Sequence, residues 1–185
     1  MRGRRDPLSV VKGTDLEGLD LLPADFSYRH LDIALDQAKK PLGGVARVLE
    51  PLAEQYDVAI LDCPPSISLV SENVFTAADA LLVPLVPSTL SVRTFEQLQE
   101  FLAGGPQPAP AVVAFLSMVD RRRRLHRELA ESLPEVLTGV AHAGIPVASA
   151  VELMGVSRVP LVVNHPRSPA ALAYAALWSE IADGL

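Results

Sequence analysis

The chain has 185 residues, is 49% hydrophobic and 21% charged, and so has the balance of an ordinary globular protein with the length of one domain. Its formal charge of −6 excludes polyanion binding by net field, so nucleic-acid contact would need a local basic patch. The single cysteine, Cys63, excludes an intrachain disulfide and a Cys-based zinc cluster and fits a reducing cytosol. No apolar run reaches the roughly 18 residues of a membrane span. The start, MRGRRDPLSVVKG, lacks the apolar stretch of a secretory signal. A cytoplasmic protein that does not enter a membrane is expected.

In chain order, Leu19-Asp20-Leu21-Leu22 is the first strand candidate. A helical segment from about Tyr28 to Lys40 follows, with Leu31, Leu35 and Ala38 on one face. Val45, Val48, Leu49 and Leu52 repeat that spacing, and Pro51 within it should kink or divide the helix. Val58-Ala59-Ile60-Leu61 and Ala80-Leu81-Leu82-Val83 read as strands. Ser91 is placed to cap a helix carrying Val92, Phe95, Leu98, Phe101 and Leu102, which Gly104-Gly105-Pro106 stops. A strand over residues 111–116 comes next, then a Leu125, Leu129, Leu133 stripe ended by Pro134. A weaker fifth strand lies near residues 140–145, ahead of Pro146. Ser168-Pro169 opens the last helix with proline at its favoured first position, through Leu172, Ala176, Leu177 and Ile181.

The strand candidates are short continuous apolar runs, which suit strands covered on both faces. With aromatics at 5%, the core is expected to be built from Ala, Leu and Val. Strands alternating with helices predict a parallel α/β sheet with helices on both sides. The stretch 104–110 is too short to separate two domains, so residues 1–185 are expected to form one.

The string Tyr56-Asp57-Val58-Ala59-Ile60-Leu61-Asp62-Cys63-Pro64-Pro65-Ser66 carries the most chemistry. An apolar strand ending in Asp puts a carboxylate at the strand's C-terminal edge, where α/β folds bind ligands. Two prolines directly after it remove two N–H donors and stiffen the loop. Taken alone, a strand-terminal Asp is more often a turn cap. The whole string, with its continuation from Leu69 to Pro84, resembles the ParA/MinD-like (Soj-type) deviant Walker-A partitioning ATPases. Gly18 to Ala24, Leu116 to Arg127, Ile145-Pro146, Pro166-Arg167-Ser168 and Ala173-Tyr174 fall in the family's order, and the resemblance runs from about Val10 onward.

The resemblance implies a slow, dimerising ATPase that uses ATP and Mg²⁺ to switch its binding to partners or surfaces. Many members bind DNA non-specifically and position plasmids, chromosomes or other cargo with a ParB-like or other adaptor protein; the MinD branch binds membrane. It implies that Asp62 is the magnesium-linked switch II aspartate, binding the ion through water, and that Pro64, Pro65 and Pro146 lie on the nucleotide side, Pro146 near the adenine. Asn73 matches a recurrent family asparagine without an assigned role. A nucleoid-associated location follows for a DNA-binding member.

The family's phosphate loop reads KGGxxGK followed by Ser or Thr. The three lysines here, Lys12, Lys39 and Lys40, do not follow a glycine, and no Gly-Lys-Ser or Gly-Lys-Thr occurs. The stretch Lys40-Pro41-Leu42-Gly43-Gly44-Val45-Ala46-Arg47 lacks the second lysine, the hydroxyl and the spacing, and reads as a helix start. The expected fold class is therefore an α/β, parallel-sheet, P-loop NTPase-like (SIMIBI-type) three-layer sandwich missing its first strand–P-loop–helix unit. Such a chain is expected to be inactive alone and to hold no nucleotide tightly. A truncated or misassigned start is the expected reason for the gap; the alternative is a non-catalytic ParA-like interaction module that does not use nucleotide.

Asp120-Arg121-Arg122-Arg123-Arg124-Leu125-His126-Arg127 is the one dense basic run. Positive charge at a helix start opposes the helix dipole, and several guanidinium groups there can contact phosphates. The resemblance places a DNA-contacting arginine at Arg122, and Arg121, Arg123 and Arg124 extend the patch. The competing reading is a solvated face paired with Glu128 and Glu131. The residues after Pro146, Val147-Ala148-Ser149-Ala150-Val151-Glu152, lack the arginines that DNA-binding relatives carry. His30, His126, His142 and His165 are scattered without metal-site spacing, and Ser66 and Ser68 lie in no nucleophile elbow. Tyr174 and Trp178 are four apart in the last helix and read as packing residues.

Overall fold

A computed structural model describes residues 6–24, 31–37, 41–64, 68–105 and 108–184. The expected positions Tyr28, Ala38 to Lys40, Pro65, Ser66 and Pro106 lie outside these residues. Internal contacts divide the chain into two compact units, residues 1–78 and 79–185.

In the first unit, Lys12–Gly13 (β1) pairs antiparallel with Asp20–Leu21 (β2), in register Lys12↔Leu21 and Gly13↔Asp20. The strand expected at residues 19–22 is thus one arm of a local hairpin and does not join a parallel sheet. Its turn is closed by Thr14 Oγ1, which donates to Leu19 O at 2.6 Å, and by Gly18 at φ 75, in the left-handed region. Tyr56 Oη donates to Asp20 Oδ2 at 2.6 Å and fastens β2.

Two short helices follow, Leu31–Asp36 (α1) and Gly44–Leu49 (α2), then a 3₁₀ turn over Glu50–Leu52. Pro51 falls in that turn and divides the helical segment, as its missing N–H requires. Pro41–Gly43 forms a 3₁₀ lead into α2, so this stretch is a helix start. Leu69–Ala77 (α3) is capped by the Ser68 side chain, which accepts from Val70 N. Residues 58–61 are the main departure: they form no strand, and Val58 and Ile60 are 53% and 77% exposed. A strand exists only where a neighbour completes its hydrogen-bond ladder, and no described segment pairs with this one.

The second unit is built on Ala80–Leu85 (β3) and Ala111–Leu116 (β4), parallel in register from Ala80↔Ala111 to Leu85↔Leu116. The crossover between them contains Thr89–Ala103 (α4). Its N-cap is Ser88, not Ser91. Ser88 Oγ accepts from Ser91 N, so Ser91 stands inside the first turn. Gly104 ends the helix as expected. Arg124–Val136 (α5) runs past Pro134, which lies in its last turn and forgoes the N–H bond that another residue would make there. Along that helix His126 and Leu133 are buried while Leu125 is 44% exposed, so the buried face is rotated from the expected leucine stripe.

Residues 139–147 run parallel to the β4 end of the sheet as two isolated bridges, Ala114↔Val140 and Val119↔Pro146, in place of a continuous fifth strand. Gly139 adopts φ 82, and a Cβ there would stand 2.5 Å from Val112 O, so glycine alone fits. Ser149–Ser157 (α6), Leu161–Asn164 (α7) and Pro169–Gly184 (α8) complete the unit.

Side chains alternate across β4. Ala114 and Leu116 pack with Leu85, Phe95 and Leu133, whereas Val113 and Phe115 pack with Ile145, Leu177 and Ile181. Both faces of the sheet are therefore covered, α4 and α5 on one side and α8 on the other. Tyr174 packs against two apolar clusters; Trp178 is 47% exposed.

Candidate functional site

The sequence points to two places, one in each unit. In the first, Asp62, Cys63 and Pro64 are exposed and follow the unpaired 58–61 segment. Partial desolvation and the adjacent Asp62 carboxylate push the Cys63 thiol up. Among the described residues no group of three His, Cys, Asp or Glu side chains is placed to hold a metal ion. One exposed carboxylate is not a resident Mg²⁺ site, since that ion demands near-octahedral coordination by several oxygens. With no Gly-Lys-Ser or Gly-Lys-Thr in the chain, the residues present do not fit a complete ATP·Mg²⁺ site.

The second place is the exit of β4. Met118 adopts φ 59, a left-handed conformation, just past the end of the strand. Buried Val119 then bonds residues 145–147: its N–H donates to Ile145 O at 3.0 Å, and Val147 N donates back to Val119 O at 3.1 Å. Pro146 is thereby held beside the chain that leads into the arginine run. The loop before it is anchored by Glu180, whose Oε2 and Oε1 accept from His142 N and Ala143 N, each at 2.8 Å.

Residues 120–123 turn into α5, and Arg123 N donates to Asp120 O at 3.0 Å. The Asp120 carboxylate accepts from Arg122 N at 3.0 Å, from its Nε at 3.1 Å and, through Oδ2, from its Nη2 at 3.3 Å. That guanidinium holds the Asp120 carboxyl below the usual carboxylate range, and the carboxylate raises Arg122 in turn. Arg124 Nε donates to Glu128 Oε1 at 2.6 Å. Arg127 Nη1 donates to Arg121 O at 2.9 Å and Arg122 O at 3.4 Å.

The four candidate arginines are all exposed, and they divide. Arg122 and Arg124 hold carboxylates, as the solvated-face reading expects, while the Arg121 and Arg123 side chains have no described partner. Sequence reasoning missed His126 and Glu180. His126 is 5% exposed, and its Nδ1 accepts from Asp120 N at 3.0 Å. Nothing in a lone histidine within a basic run announces such a bond.

A family model described as an AAA domain matches residues 5–104. The sporulation initiation inhibitor protein Soj of Bacillus subtilis is 26% identical over 182 residues, covering 96% of this chain and 72% of Soj. The chromosome partitioning protein ParA of Caulobacter vibrioides is 32% identical over 157 residues, covering 82% of this chain and 57% of that protein. The chain thus spans between about half and three quarters of the length of these relatives. Among solved structures, a plasmid partition protein of Borrelia burgdorferi bound to AMPPNP superposes with TM-score 0.77 at 17% identity, covering 96% of this chain and 68% of that one. Cobyrinic acid a,c-diamide synthase of Mycobacterium smegmatis, with a bound ATP analogue and magnesium, gives 0.67 at 24%, covering 84% and 70%. No described helix is long and apolar enough to cross a membrane.

Proposed function

We propose that this chain, which belongs to the AAA domain family and within it to the ParA/MinD-like partitioning ATPases, serves the partitioning or positioning of a chromosome, a plasmid or another cargo. It does so in the cytoplasm, on the nucleoid, with a ParB-like or other adaptor and as a homodimer. Its contact with the nucleoid is non-specific duplex DNA held by the arginine turn. The observation that carries this reading is the pair of uncommitted guanidinium groups, Arg121 and Arg123, at the start of α5. Positive charge there works against the helix dipole, so an outside anion is its natural complement.

ATP and Mg²⁺ are the ligands of the intact family; by the resemblance Asp62 matches its magnesium-linked aspartate, with Pro64 and Pro65 shaping the loop after it, and Pro146 matches an element on its adenine side. Phosphoryl transfer depends on positioning and charge neutralisation by a phosphate loop that these 185 residues do not contain. This polypeptide alone is therefore expected to show no ATP turnover above background. Turnover by the purified chain that Asp62→Ala abolishes overturns that expectation.

Fluorescence anisotropy with random duplex DNA at two salt concentrations tests the DNA reading. Binding should weaken steeply with salt, and Arg121→Ala/Arg123→Ala should lower the salt slope by about 2. No binding at low salt, together with no ATP binding by calorimetry, would leave the non-catalytic interaction module as the better account.

A further inference from the structure

We infer that His126 is the positioning residue of the arginine turn: its buried Nδ1 latches Asp120 N–H and so fixes the direction in which Arg121 and Arg123 present their charge. This inference rests on the DNA-contact reading of that turn.

Val119 is buried and bonded to residues 145–147, so the turn has a fixed starting point. Beyond it, the Asp120 N–H points into the protein and meets His126 Nδ1 at 3.0 Å, six residues on and in the first turn of α5. Because Nδ1 accepts, the ring proton sits on Nε2. The backbone carbonyls of Arg121 and Arg122 are held from the same helix by Arg127 Nη1. Asp120 closes the interior by accepting Arg122 N, and its carbonyl accepts Arg123 N. The backbone from 120 to 123 is thus pinned at each residue, while the Arg121 and Arg123 side chains alone make no described contact. Of the pins made by side chains, the histidine bond is the part-buried one, its ring being 5% exposed, and the others lie exposed. The Arg122–Asp120 pair lies at the surface, where such pairs contribute little and exchange readily with water or phosphate. Long flexible cations lose less entropy on meeting phosphates when their backbone is already oriented.

The test uses two amides that mimic different ring nitrogens. His126→Asn places its oxygen near the Nδ1 position, whereas His126→Gln places it near Nε2. The expected result is near-native duplex affinity for His126→Asn. His126→Gln should weaken binding by roughly three- to tenfold, the range that one net hydrogen bond spans. Its salt slope should fall by about 1 to 2 as the two arginines cease to meet phosphates together. Melting temperatures are read alongside, so that loss of folded protein is not scored as loss of affinity. Equal affinities and slopes for the two variants overturn the latch. If Arg121→Ala/Arg123→Ala weakens binding in the same experiment, the DNA reading survives that outcome; if the double variant binds like the parent, the DNA reading falls and takes the latch with it. Should His126→Gln not fold, Asp120 amide exchange in the parent protein decides: a slow amide is expected, and one as fast as an unstructured amide overturns the inference.

Discussion

Asn73 shows what a single polar residue contributes when its amide oxygen and both amide protons find partners. It is fully buried. Oδ1 accepts from Gly44 N at 2.8 Å, and Nδ2 donates to Pro41 O at 2.7 Å and Leu69 O at 2.8 Å. It therefore seats the start of α2 on α3. Gly44 must come close to permit this, since a Cβ there would lie 2.6 Å from Leu35 Cδ2 and 3.2 Å from Asn73 Oδ1. Asn73→Ala should lower stability by about 2–3 kcal/mol in urea unfolding, because partners in a protected site lose bonds that water replaces poorly. A loss under about 0.5 kcal/mol would mean that water substitutes freely. Asp120 offers a pH test. Its folded pKa is depressed by Arg122, so its small contribution is present above the unfolded value near 4 and fades as pH falls through the folded value. NMR titration should place the Asp120 midpoint below about 3.9 and raise it in Arg122→Ala, which removes the guanidinium but keeps the backbone N–H bond at position 122.

At the scale of elements, the loop over residues 141–145 is a strand interrupted. The bridges at Val140 and Pro146 flank a detour in which His142 N and Ala143 N find the Glu180 carboxylate on α8, while Ala141 N and Ile145 N still donate to Ala114 O and Leu116 O of β4. Glu180→Ala should cost about 1.5–3 kcal/mol, as for hydrogen bonds to a charged group, and Glu180→Gln, which keeps one acceptor, about half as much. Amide exchange at His142 and Ala143 should rise in both; unchanged protection would show that the carboxylate is not their partner in solution. The sequence revealed elements whose signals are local: β3, β4, α4, α8 and the break at Pro51. It misled where the outcome depends on a distant neighbour. Residues 58–61 have the composition of a buried strand, yet a ladder needs a partner that composition does not supply. Arg122 stood out as a charge, but only the fold shows that Asp120 already holds it. Likewise, His126 and Glu180 matter through which backbone N–H groups they face.

At the scale of the whole chain, cohesion is unequally distributed between the two units. Among the described residues, the buried hydrophobic side chains of residues 6–78 are Leu35, Leu52 and Val74, whereas the three clusters around Phe95, Ile145 and Leu161 all lie in residues 79–185. Burial of apolar area is the main favourable term in folding, at about 25 cal/mol per Å², so the second unit should be the more stable. The first unit also leaves Val58 and Ile60 largely in water, where they contribute nothing to a core and their backbone groups lack strand partners. Unfolding should accordingly be two-step, with residues 6–78 opening at lower urea than the β3–β4 sheet. Hydrogen exchange read residue by residue can check this. Amides of Leu81 to Leu85 and Val112 to Leu116 should be the slowest, those of α1 and α2 faster by about tenfold or more, and those of residues 58–61 close to unprotected. Uniform protection across both units, or slow exchange at residues 58–61, would contradict the picture, the latter by showing that a strand partner is present in solution.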